Sequence, residues 1–146
     1  MSWENKKYLA DKIFYDVFID KVIDEEKTLI VLNSSVFRLF VEMFYRKLTG
    51  AQAISDIDVI ESLTVNPNIL NGTLKIKDNY KHSIFTELGF EPNKSILEQE
   101  PNPLPDRKAF DNMVFDALGL TEEKHKEVYW AVAELVKNRL EKGKSV

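Results

Sequence analysis

Residues 24–40 read DEEKTLIVLNSSVFRLF, two apolar stretches parted by a polar Asn33-Ser34-Ser35. If Leu29–Leu32 form a strand, the chain builds outward from a sheet; if they form a helix, it builds from a pair of helices. Four residues fit either period. The flanks favour a short helix. Asp24 is a good N-cap, and Glu25 and Glu26 meet the positive end of a helix dipole. Asn33 can end that helix, since asparagine tolerates the left-handed conformation, and Ser34 or Ser35 can cap the next. From there Val36, Leu39, Phe40, Met43, Phe44 and Leu48 follow helical spacing, with Arg38, Glu42 and Arg46 largely opposite. A helix is expected over 35–48, ended by Thr49-Gly50.

Working outward, KIFYDVFIDKVI (12–23) is dense in β-branched and aromatic residues and reads as one or two strands. After a loop at 49–56, IDVIESLTV (57–65) reads as a helical turn or bend leading into a short strand. Asn66-Pro67-Asn68 stops it, because proline lacks a ladder donor. Asn71-Gly72 has the form of a hairpin turn. HSIFTELGF (82–90) reads as the end of a helix. Residues 91–106 hold four of the five prolines and are expected to be extended, as a linker or a wrapping arm. Two helices follow: one with Asp106 as N-cap and Gly119 as terminator, one starting at Thr121 and ending in a Lys/Arg-rich turn. HSIFTELGF and NMVFDALGL share an apolar-Phe-x-x-Leu-Gly-apolar pattern, read as two similar helix C-terminal ends. The expected class is α+β. A small sheet, from the N-terminal segment and 57–65, packs on the 35–48 helix, and a helical pair follows the Pro-rich arm. The expected divisions are 1–90, 91–106 and 107–146.

With 146 residues, 44 % apolar and 30 % charged, the composition is that of an ordinary globular domain. There is no cysteine, so disulfides and thiolate metal sites are excluded. His82 and His125 are far apart and read as surface histidines. No cofactor and no metal are called for. The sequence holds no Gly-rich phosphate loop, no G-x-S-x-G elbow and no His-Glu-x-x-His. Pro105-Asp106-Arg107-Lys108 offers one acid where a metal-dependent nuclease needs several. The acidic pairs Asp56/Asp58 and Glu122/Glu123 read as helix N-termini or solvated faces. No apolar run approaches the ~18 residues of a membrane span, and MSWENKKYLADK has no signal-peptide core, so a cytoplasmic protein is expected. The net charge of −4 argues against strong, independent DNA binding. Yet Arg38, Arg46 and Lys47 lie on or beside one helix, and Thr49 and Gln52 follow in its exit loop. Arginine and glutamine can contact base edges; lysine and threonine can hold phosphates. A solvated polar face is the plain alternative.

LIVLNSSVFRLFVEMFYRKLTGAQAISDIDVIESLTVNPN resembles a region downstream of the catalytic domain in large adenine-N6 DNA methyltransferases, including fused type IIG restriction–modification enzymes. Leu32-Asn33-Ser34, the helix through Phe37 and Phe40, Gly50, and Val65-Asn66-Pro67 carry the likeness. EQEPNPLPDRK and FDNMVFDALGLTEEKHKEVYWAVAELVKNRLEKGKSV are similar to the C-terminus of such proteins. The resemblance implies a non-catalytic target-recognition or accessory domain, positioning duplex DNA for a separate domain that uses S-adenosylmethionine. The Asn-Pro-Pro-Tyr-type motif is absent, Asn66-Pro67 continuing as Asn68-Ile69, and so is the Gly-rich cofactor motif. The chain is then expected to be an excised C-terminal domain or a truncated product, contacting DNA through Arg38, Arg46, Lys47, Thr49 and Gln52. Its partners would be double-stranded DNA and a catalytic methyltransferase domain or subunit. The rival expectation is a protein-interaction or homodimerisation module using the C-terminal helices.

Overall fold

A computed structural model describes residues 21–44, 46–47, 53–54, 65–72, 74 and 82–144. Among these residues the architecture is helical: α1 (Glu25–Asn33), α2 (Ser35–Phe44), α3 (Ile84–Leu88), α4 (Pro105–Ala117) and α5 (Glu122–Lys144), with a 3-10 turn at Pro67–Ile69. Extended pairing is confined to β1 (Arg46–Lys47) against β2 (Ala53–Ile54), antiparallel. Two residues a side do not make a sheet layer, so the α+β expectation is overturned. The strands expected at 12–23 and 57–65 lie mostly outside the described residues. Residues 21–23, the end of the first of these, form turn and bend. The sheet expectation rested on the β-branched density of 12–23 and 57–65. Among the described residues, the β-branched Ile30, Val31, Val132 and Val136 sit in helices, as expected, where burial outweighs their small intrinsic penalty.

The Asn-Ser-Ser break is a helix–helix corner. The Asp24 carboxylate accepts from Lys27 N at 3.0 Å and opens α1. Asn33 stays helical, and Ser34 ends the helix in extended backbone (φ −71°, ψ 158°), contrary to the expected left-handed asparagine. Ser34 then serves both helices. Its hydroxyl donates to Val31 O at 2.7 Å and accepts from Phe37 N at 3.1 Å. A cap of this kind contributes about 1 kcal/mol. Helix α2 stops at Phe44, short of the expected 48, because the chain turns into β1.

The repeated Phe-x-x-Leu-Gly pattern is a repeated helix ending. Phe90 N donates to Phe85 O at 2.8 Å, and Leu120 N donates to Phe115 O at 3.0 Å. Gly89 (φ +76°) and Gly119 (φ +66°) supply the left-handed residue between. Helix α4 starts at Pro105 rather than after Asp106. Leu104 caps it without a side-chain bond, and proline at the first position needs no N–H partner. Thr121 caps α5 as expected, accepting from Lys124 N at 3.4 Å.

Two apolar clusters flank α4. Phe115 joins Phe85, Leu88, Phe90, Ile96, Tyr129, Val132, Ala133 and Val136 on one side. Phe110 and Val114 join Ile30, Val31 and Leu70 on the other. Fully burying a side chain such as Phe115 or Val132 contributes about 1.5–3 kcal/mol. The irregular segment 91–104, shorter by two residues than expected because Pro105 and Asp106 open α4, wraps α5: Trp130 Nε1 donates to Gln99 O, Lys137 Nζ to Lys94 O and Lys126 Nζ to Glu100, each at 2.7 Å. Ile96, in the same segment, is 1 % exposed. No helix among the described residues is long and apolar enough to cross a membrane.

Candidate functional site

Two charged constellations stand out, one closed and one at the surface. The closed one lies at the α1–α2 corner. On α4, Asp111 occupies the helix face between Val114 and Phe115, and it is fully buried. Its Oδ1 accepts from Ser35 N and its Oδ2 from Ser35 Oγ, both at 2.7 Å. Arg107, one turn earlier, brings Nη1 to 4.0 Å from Asp111 Oδ1 and donates it to Asn33 O at 2.5 Å. The same guanidinium pairs with the buried Glu87 carboxylate through Nε (3.0 Å) and Nη2. One arginine therefore satisfies the C-terminal carbonyl of α1 and joins α3 to α4. Burial pushes the Asp111 carboxyl above its ordinary 3.8, against the opposing pull of Arg107 and Ser35. The Tyr129 phenol is pushed well up by burial and by the neighbouring Asp111 carboxylate. Its hydroxyl is buried near that carboxylate but makes no hydrogen bond of normal geometry.

A Ser–Asp pair is one part of a nucleophilic site, but Ser35 and Asp111 are both 0 % exposed, so a substrate cannot reach the hydroxyl. Nor is an imidazole bonded to it. His125 stacks on Phe115 (centroids 4.2 Å apart) and contacts Leu120 O at 3.1 Å through Nε2. It is half-buried, not the surface residue expected; His82 is exposed. Among the described residues no group of three or more His, Asp or Glu side chains is placed to hold a metal. The corner is a structural joint.

The second constellation carries part of the expected interface. Glu42, expected on the solvated face of α2, is fully buried at its side chain. Arg139 of α5 explains this: its Nε donates to Glu42 Oε2 at 2.9 Å and its Nη2 to Oε1 at 3.0 Å. Arg38 Nη2 lies 2.7 Å from the same Oε1, with its side chain 39 % exposed. Val36 and Leu39 of the expected apolar stripe pack against the core, but the inward face is broader than that stripe. Ser35, Val41 and Glu42 face inward, and Met43 and Phe44 are left 58 % and 55 % exposed. Phe44 keeps one aromatic contact, with Phe40 at 4.9 Å between centroids.

Directly after α2 the chain enters β1. Arg46 pairs with Ile54 and Lys47 with Ala53. For Arg46 and Lys47 only the backbone is described, and Thr49 and Gln52 lie outside the described residues, in the connection between the strands. Of the five expected contact residues, Arg46 and Lys47 thus belong to one ribbon, and Arg38 stands on the helix before it. Comparison with protein-family models, with curated proteins and with solved structures finds no match for the chain.

Proposed function

We propose that this chain is a non-catalytic DNA target-recognition or accessory domain of a restriction–modification DNA methyltransferase. It holds duplex DNA for a separate catalytic domain or subunit, in the cytoplasm. The observation that carries this reading is the antiparallel pairing of Arg46–Lys47 with Ala53–Ile54 immediately after α2. A two-stranded ribbon fits the major groove, where glutamine and arginine can read base edges and lysine can hold phosphate. The sequence resemblance to the methyltransferase region covers the same residues. The net charge of −4 makes duplex binding by the chain alone weak and strongly dependent on salt.

Replacing Arg46 and Gln52 together with alanine should weaken duplex binding by about tenfold or more, since one good base contact is worth roughly 1–3 kcal/mol. Fluorescence anisotropy with several duplexes at low salt measures this, together with any change in sequence preference. Unchanged affinity and unchanged preference would remove both residues from the interface.

A protein-interaction reading has its own support in the exposed Met43 and Phe44. The C-terminal helices are poorer candidates for such a surface, because Val132 and Val136 of α5 are buried within the chain itself. Light scattering with and without duplex separates the two readings: a stable dimer indifferent to DNA belongs to the second.

A further inference from the structure

We propose that Glu42, clamped by Arg139, is a positioning residue that holds the Arg38 guanidinium ready for a DNA phosphate. This inference rests on the reading that the chain contacts duplex DNA. Glu42 lies between two cations, Arg139 and Arg38. Arg139, 11 % exposed at its side chain, spans both carboxylate oxygens. Arg38 touches Glu42 through Nη2 and is 39 % exposed. Its Nε is buried and makes no hydrogen bond, and its Nη2 is held against Glu42. A guanidinium fixed at one nitrogen keeps further Nη donors for a second oxyanion, in a planar fork that suits phosphate. Holding it beforehand lowers the ordering cost of binding.

The test uses the full chain and a duplex at several salt concentrations. Glu42→Gln removes a negative charge beside the interface, so simple charge counting predicts tighter binding. The positioning role predicts the reverse. Affinity should fall about threefold while the salt dependence is kept, because the cation remains but is no longer fixed. Arg38→Ala should fall about tenfold, with the slope of log affinity against log salt reduced by about 0.9. Arg139→Lys, which keeps charge but loses the two-point clamp, should behave as Glu42→Gln and serves as the test if that variant does not fold. Equal or tighter binding by the folded Glu42→Gln or Arg139→Lys protein overturns the positioning role. If in that case Arg46→Ala still weakens binding, the DNA reading survives alone. No duplex binding by the unaltered chain overturns both.

Discussion

Asp111→Ala should destabilise the protein by about 3–5 kcal/mol, the range for removing one partner from a buried charged network. The loss has identifiable parts. Ser35 N–H and Ser35 Oγ both lose their acceptor in a site with no access to water. Arg107 loses a neighbouring carboxylate and is left with Glu87 and Asn33 O. A void also opens between the apolar clusters. Asp111→Asn keeps the shape and an acceptor for Ser35 N, and should cost roughly 1–2 kcal/mol at neutral pH. Urea denaturation of the three proteins measures both effects. The two losses should also respond differently to acid. The folded protein holds the Asp111 proton more tightly than the unfolded chain, because burial raises the carboxyl above its ordinary 3.8. This group's contribution to stability is therefore fully present below pH 3.8 and is lost as pH rises through the folded value. The advantage of the natural protein over Asp111→Asn should grow on acidification toward that limit. An advantage that shrinks would mean that the charged form is the favoured one in the fold.

The second large effect belongs to Gly89. A Cβ built there lies 2.2 Å from Asn102 O and 2.7 Å from its carbonyl carbon, at φ +76°. Alanine must both adopt the left-handed conformation, at roughly 1–2 kcal/mol, and displace backbone of the wrapping segment. That segment is bonded to α3 at this point, Asn102 N donating to Leu88 O and Leu104 N to Glu87 O. The combined cost should be about 3 kcal/mol. Gly119 has nearly the same conformation (φ +66°) and the same kind of helix ending, but nothing within 4 Å of its Cβ position. Gly119→Ala should therefore show the conformational part alone, about 1 kcal/mol. Denaturation of both variants isolates the contribution of the 91–104 segment lying against α3. Equal losses at the two glycines would deny that contact.

These two sites also show what the linear order of residues could and could not disclose. Three terminal signals were legible because each acts within a few residues: Asp24 on Lys27, Thr121 on Lys124, and the paired Phe-x-x-Leu-Gly endings; the caps expected at Asn33 and Asp106 fell on Ser34 and Leu104 instead. The polar break at 33–35 was legible as a corner, but Asp111 drew no notice in the sequence, where it is one of several acids on its helix. That it answers Ser35 was not legible, since 76 residues separate them. Glu42 misled for the same reason. An acid opposite an apolar stripe reads as solvated until a cation such as Arg139, 97 residues away, is brought onto it. The expected sheet rested on 12–23 and 57–65, which lie mostly outside the described residues, while the segments read as helices from caps and spacing are helices. Of the candidate interface, Arg38 is now seen tied to Glu42, and the ribbon that gathers Arg46 and Lys47 rests on a pairing that no local pattern specified.

Amide hydrogen exchange on the full chain, with and without duplex DNA at low salt, tests the central claim most directly. Contact through α2 and the ribbon after it predicts slowed exchange within 38–54 on adding duplex, with 105–117 unchanged. Slowing confined to 122–144, or no change anywhere at duplex concentrations that saturate binding, would contradict it.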